Sequence, residues 1–352
     1  MDSDSRNGSL GPLMIDLKGT GLDAEEREWL QAPEVGGVIL FTRNFTDLKQ
    51  LGRLVDEIHA ARNPPLLVAV DHEGGRVQRF RRPFTELPPV RALGHLYDRN
   101  PDEALKAARA FGWLMAAELR ALDIDLSFAP VVDLDLGMAE VIGDRALHPG
   151  AKVVSALSAE FSAGANAAGM AVTAKHFPTH AGARADSHTA LAVDDRDLDQ
   201  LTDDLVPYRR LIAAGLESVM VGHVIFPAVD TLPASLSPFW MRDQLRDRLG
   251  FDGAVLSDDM SMAGADVGGD CGRRILRSLE AGCDMVLLCN APGEIPGAIE
   301  ALADYCNPTS EPRLARLRGG ARTTWKELHS SDQRRVARKQ LDLIVTGEHR
   351  IQ

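Results

Sequence analysis

Eight short apolar, β-branched runs recur along this chain, and each is followed by a stretch with helical periodicity. The runs cover residues 12–17, 37–41, 66–70, 126–132, 170–174, 218–222, 254–256 and 285–288. The helix-like stretches cover 24–31, 48–61, 102–121, 151–168, 198–214, 238–249, 272–281 and 295–303. Strands that alternate with helices pair in parallel, because each crossover helix must pack back onto the sheet. Eight such units without a break in composition predict an α/β fold: a (β/α)8 TIM-type barrel, a single domain with extra C-terminal helices. An open doubly wound sheet is the structural rival. The expected division is a flexible N-terminus over 1–11, a catalytic barrel over 12–306 and a helical extension over 307–352. Amphipathic segments at 312–317 and 335–344 are expected to pack that extension on the barrel exterior.

A barrel places its chemistry at the C-terminal ends of its strands. Ionisable and turn-forming residues do gather there: Asp71-His72-Glu73-Gly74-Gly75-Arg76 after the third run, Lys175-His176 after the fifth, Gly222-His223 after the sixth and Ser257-Asp258-Asp259 after the seventh. The opposite ends carry mostly Gly, Pro or small residues.

The densest chemistry lies between Lys175 and His188. A lysine at a strand end is costly to bury unless it meets a carboxylate or ligand oxygens, so Lys175 predicts an internal ion pair with Asp71 or Asp258. Asp186-x-His188 pairs a carboxylate with an imidazole, which fixes the ring tautomer and raises the basicity of the free nitrogen. Asp258 is placed to serve as nucleophile, base or metal ligand, with a helix N-cap before Met260 as the structural alternative. Asp71 and Arg79 together suit the hydroxyls of a sugar, and Gly74-Gly75 permits a tight turn that brings backbone close to a ligand. A metal-dependent hydrolase would instead use His176, His180, His223 and Asp258 as ligands; the absence of HExxH and of paired histidines after the first run speaks against it.

The bulk numbers narrow the field further. Formal charge is 39 minus 51, or −12, which repels phosphate backbones and anionic membranes. No run approaches the length of a membrane span, and no apolar leader precedes the first strand. The four cysteines (Cys271, Cys283, Cys289 and Cys306) show no CxxC spacing, and reduced thiols in a cytoplasmic protein are expected.

Taken together, these residues resemble the bacterial β-N-acetylglucosaminidases (beta-hexosaminidases) of glycoside hydrolase family 3, the NagZ type. The family pattern is Lys-His-Phe-Pro-Gly-His-Gly, a short spacer and Asp-Ser-His, combined with Asp-x-Glu-Gly-Gly-Arg-Val-x-Arg and a Ser-Asp-Asp turn. The resemblance implies a retaining hydrolase with Asp258 as nucleophile, His188 as acid/base and Asp186 as its partner. It implies that Asp71, Arg79, Arg145, Lys175 and His176 hold a terminal N-acetylglucosamine, with neither metal nor organic cofactor required. The implied substrate is a cell-wall fragment, N-acetylglucosamine linked to 1,6-anhydro-N-acetylmuramoyl peptide, processed by a monomer without nucleic-acid or membrane partners. A weakly catalytic sugar-binding homologue and a phosphorylase are the readings that stay open. Two family loop glycines are Thr179 and Ala181 here. Were positive φ required at those positions, each would cost on the order of 1–2 kcal/mol, and the expectation is a stiffer loop.

Overall fold

The computed structural model describes residues 9–183, 192–265 and 270–348. Residues 1–8 of the expected N-terminal lead-in lie outside this range, and so do Asp186 and His188. Eight parallel strands close into a barrel in sequential order: β1 Leu13–Asp16, β2 Val35–Leu40, β3 Leu67–Val70, β4 Leu126–Ser127, β5 Ala171–Phe177, β6 Ser218–Val221, β7 Ala254–Asp259 and β8 Met285–Leu288. β1 pairs with β8 to complete the ring, which rules out the open sheet.

Crossover helices surround the ring: α1 Ala24–Gln31, α2 Leu48–Ala60, α3 Arg91–Arg99, α4 Pro101–Arg120, α5 Ala151–Ala167 and α6 Val206–Ala213. A π-helix, Phe239–Arg248, follows β6; α7 Cys271–Ala281 and α8 Ile295–Leu302 complete the set. Their starts follow local chemistry. Asp23, Asp47, Asn100 and Asp270 each cap a helix by accepting from a main-chain N–H in its first turn, as short oxygen-bearing side chains do. α3 was not among the expected helices. Its apolar residues Ala92, Leu93 and Leu96 are buried, yet it starts after a proline-rich turn with no side-chain cap to mark its beginning.

Period-two alternation sorts the strand residues. Leu67 and Ala69, Leu126, Ala171, Met220, Ala254 and Leu256, and Met285 and Leu287 pack inside the barrel, while Val68, Val70, Val172 and Val255 face the helices. Beyond β8 come α9 Glu311–Ala315, α10 Trp325–Ser330 and α11 Asp332–Glu348. Leu314 and Leu317 enter the interior cluster instead of lying on the exterior as expected, and α11 packs on α4 and α3. Arg334 of α11 joins buried Glu118 of α4 at 3.0 Å.

Two predicted spans need revision. The fourth run forms only Leu126–Ser127 as regular strand; beyond it Val131 still bridges to Lys175 as the chain runs irregularly beside β5. The fifth and seventh runs are longer than expected, ending at Phe177 and Asp259, so Lys175-His176 and Ser257-Asp258-Asp259 lie within strands and not after them. Ser257 accordingly caps no helix: its Oγ accepts the Leu287 N–H at 3.1 Å and donates to the Asp258 carbonyl at 2.7 Å.

Candidate active site

At the C-terminal mouth of the barrel lies a cleft of about 510 Å³, within the range of small-molecule sites. Continuing the interior phase of β3 through Leu67 and Ala69 brings Asp71 and then Glu73 to this cleft. The same phase brings Lys175 from β5, Asp258 from β7 and Cys289 after β8. Two local irregularities change what simple alternation would deliver. The β5–β6 register shifts between Lys175 and Phe177, and the β7–β8 register shifts between Leu256 and Asp259. As a result the consecutive pairs Lys175-His176 and Asp258-Asp259 all line the cleft. A bulge re-aims side chains in this way, and bulges concentrate beside active sites.

The charged groups form one connected set. Lys175 Nζ sits 2.9 Å from Asp71 Oδ1 and 2.6 Å from Glu73 Oε1. Arg145, on a turn at Gly143–Arg145, grips Glu73 with two bonds of 2.8 Å, from Nε and from Nη2. Arg79 Nη2 lies 3.2 Å from the second oxygen of Asp71. The expected partner of Lys175 is thus Asp71, but with Glu73 sharing the role and not Asp258. Glu73 escaped the sequence reading, although its place in the interior phase of β3 could have found it. Burial opposes ionisation of Asp71 and Glu73, but neighbouring cations outweigh it. Lys175 and Arg79 hold Asp71 well below the usual carboxylate range, and Arg145 and Lys175 push Glu73 down to about 2.

The hairpin His72–Gly74 and Val77–Gln78 carries Asp71 and Arg79 to the same end. Gly74 and Gly75 have φ of +102° and +57°, the left-handed region that a side chain disfavours. Their close approach is to Pro88 and Pro89 and not to the ligand side: a Cβ on Gly74 would stand 2.6 Å from the Pro88 carbonyl oxygen. Arg76, half exposed, pairs with Asp144 at 3.2 Å and donates to the Val141 carbonyl at 2.5 Å, stapling the hairpin to the Arg145 turn. Phe41 stands between the guanidiniums of Arg43 and Arg79, 4.6 and 5.2 Å from its ring centre.

Asp258 Oδ1 accepts the Asp259 N–H at 2.9 Å. Burial opposes its charge, yet His176, His223 and Lys175 around it hold the carboxyl below the usual range, so an ionised carboxylate faces the cleft. Asp259 differs: burial pushes it up to about 6, while it accepts from Ser261 and from the Cys289 N–H. Two adjacent carboxyls in separate environments can serve separate purposes.

The alternative metal set does not assemble. Both ring nitrogens of His223 are occupied, Nδ1 by Ser235 Oγ at 2.6 Å and Nε2 by the Asp259 carbonyl at 2.9 Å. His176 Nδ1 is taken by Asp133 at 2.7 Å. Among the described residues no cluster of three His, Cys, Asp or Glu side chains has ligand geometry. Of the expected site residues, the structure brings Asp71, Arg79, Arg145, Lys175, His176 and Asp258 to one cleft. Asp186 and His188 lie outside the described residues.

The model of the glycosyl hydrolase family 3 N-terminal domain matches residues 13–314, the barrel and its floor. The chain belongs to glycosyl hydrolase family 3. It is therefore a glycoside hydrolase, and its relatives share nearly its whole length. A protein of Thioalkalivibrio sulfidiphilus named beta-hexosaminidase is 52% identical over 336 residues, covering 96% of this chain and 97% of that one. The NagZ of Neisseria gonorrhoeae, solved in complex with N-trifluoroacetyl-D-glucosamine, superposes with a TM-score of 0.91 at 39% identity, over 96% of this chain and 99% of that one. A family 3 β-N-acetylglucosaminidase from Paenibacillus gives a TM-score of 0.85 at 30% identity, over 97% of this chain and 68% of that one.

Within the family frame, the two replaced loop glycines turn out to need no glycine. Among the described residues the only side-chain-bearing positions at positive φ are Asp123 and Asn290, so Thr179 and Ala181 carry no left-handed strain. Both are buried, and Thr179 Oγ1 accepts the Ala181 N–H at 3.0 Å. Gly182 is required by space and not by φ: a Cβ there would meet Asp194 Oδ2 at 2.3 Å. Positive φ is not required at 179 or 181, so the conditional strain cost does not arise.

Proposed function

We propose that this family 3 hydrolase is a retaining exo-β-N-acetylglucosaminidase that removes terminal β-linked N-acetylglucosamine from cell-wall fragments. The observation that carries this reading is Asp258 in one cleft with a clamp of Asp71, Arg79 and Lys175. The relatives named beta-hexosaminidase, and the N-acylglucosamine analogue in the Neisseria NagZ complex, support the sugar class.

In the proposed reaction Asp258 attacks the anomeric carbon while protonated His188 donates its proton to the leaving oxygen. The glycosidic bond breaks and a glycosyl-Asp258 ester forms. Neutral His188, oriented by Asp186, then takes a proton from water as that water attacks the ester, releasing the sugar with retained configuration. The roles of His188 and Asp186 rest on the family pattern. Asp71 and Arg79 offer an acceptor and donors to sugar hydroxyls; Lys175, His176 and Arg145 line the same pocket as further sugar contacts, with Arg145 also holding Glu73. We further propose action on the 1,6-anhydro-N-acetylmuramoyl peptides of peptidoglycan recycling, by a cytoplasmic monomer. Among the described residues no helix is long and apolar enough to cross a membrane.

The test is trapping with a fluorosugar derived from N-acetylglucosamine. The wild-type chain is expected to gain one covalently attached sugar on a peptide containing Asp258, and Asp258→Ala none. Trapping undiminished in Asp258→Ala would sink the assignment. Aryl glycosides that differ only at the 2-position, assayed with and without phosphate, decide sugar class and acceptor.

A further inference from the structure

We propose that Asp133 is a positioning residue for this reaction, acting through His176: it fixes the ring's proton on Nδ1 and turns Nε2 toward the sugar. The chain reaches this arrangement after β4. Past Ser127 it keeps pace with β5, the Thr173 N–H donating to the Ala129 carbonyl at 2.9 Å and the Val132 N–H to the Lys175 carbonyl at 2.8 Å. Asp133 is thereby drawn level with His176.

The Asp133 side chain is completely buried. Its Oδ2 lies 2.7 Å from His176 Nδ1 and accepts the His176 main-chain N–H at 3.3 Å; Oδ1 accepts the His180 N–H at 2.7 Å. Burial alone would raise its pKa, but the two imidazoles and the His180 N–H outweigh that and keep it ionised. An ionised carboxylate can only accept, so Nδ1 of His176 must be the donor. That leaves Nε2 as the nitrogen free to meet a ligand, and His176 lines the cleft whereas Asp133 does not. His176 and Asp258 also line the same cleft. A ring turned by loss of its Nδ1 partner would therefore disturb both the sugar contact and the nucleophile. The same three bonds would equally brace two loops with no bearing on chemistry, so the test must separate positioning from scaffolding.

The inference rests on the hydrolase reading above. The experiment is a double-mutant cycle on the full chain with an aryl β-N-acetylglucosaminide, using Asp133→Asn, His176→Ala and both together. Removing a hydrogen bond to a charged group predicts a fall in kcat/KM on the order of 10- to 100-fold for Asp133→Asn. In the His176→Ala background the same change is expected to cost less than about 3-fold, because coupled residues are not additive. Equal losses in both backgrounds overturn the proposal and leave Asp133 as scaffold. Nitrogen-15 NMR of histidine-labelled wild-type protein supplies a readout independent of activity and of the variants' folding. His176 Nδ1 is expected to carry a proton; a bare Nδ1 overturns the proposal whatever the kinetics. Absence of wild-type turnover would instead count against the hydrolase reading, and the NMR result would still decide the Asp133–His176 geometry.

Discussion

Glu73 shows how much one buried carboxylate decides here. It accepts from Lys175 and, in bidentate fashion, from Arg145, and its side chain is 3% exposed. Breaking a buried ion pair by neutralising one partner leaves uncompensated charge, typically at a cost of several kcal/mol. Glu73→Gln is expected to lose roughly 3 kcal/mol in urea unfolding at neutral pH. It is also expected to lower kcat/KM at least about tenfold, because Lys175 and Arg145 lose their shared anchor. The pH dependence has a definite sign. With a folded pKa pushed down to about 2, Glu73 contributes stability that is complete above its unfolded value near 4.5 and is lost as pH falls through about 2. Glu73→Gln should therefore flatten the acid limb of the stability curve over that window. Asp71, Arg79, Lys175 and Asp258 were legible as candidates for one cleft because ionisable groups at the ends of apolar runs have few bland explanations. Glu73 was legible only through its interior phase beyond β3, and Asp133 not at all, since their importance lies in which partner they meet across the barrel.

Strand ends and the loop roots that follow them carry the next level of control. β5 and β7 each depart from regular pairing at the mouth, and each departure presents two consecutive residues to the cleft. A regular strand would have turned His176 and Asp259 toward the helices. The root of the loop after β5 is held by side chains and not by glycine flexibility. Thr179 also hydrogen-bonds Asp204, which Arg196 joins at 2.8 Å and links to Asp194, 2.7 Å from the same guanidinium. Thr179→Gly, which restores the family residue, is thus expected to destabilise the chain by roughly 1–2 kcal/mol, through a lost buried hydrogen bond and a freer unfolded chain. Thermal unfolding checks this; a gain in Tm would show that residue 179 is strained after all.

Across the whole molecule, the N-terminal end of the barrel is closed by charge as well as by the Leu314 and Leu317 plug. His59, in the last turn of α2, stands 3.5 Å from Asp123 and 3.5 Å from Asp125 on the turn that leads into β4. Asp125 in turn accepts from the Val68 N–H of β3 and from the Gly319 N–H beyond α9, so helix, strands and tail meet there. Burial opposes charge on His59, but the two carboxylates outweigh it and raise its pKa to about 9. Its contribution to stability is complete below the unfolded value near 6.5 and is lost as pH rises through about 9. Wild-type stability is expected to fall by roughly 1–3 kcal/mol across that window, with His59→Gln nearly flat, in urea titrations at stepped pH. An equal fall in the variant would place the effect elsewhere. By itself the sequence determined the eightfold alternation, and hence the barrel and the end at which its chemistry sits, because period and hydrophobicity are local properties of a chain. It also marked most of the clamp and the Asp258 position. Only the tertiary structure decided which carboxylate shares Lys175, how two register shifts widen the set of cleft residues, and how Asp133 reaches His176. Those outcomes depend on pairing between segments tens of residues apart, where the relative height of neighbouring strands, and not the order of residues within one, sets which charges meet.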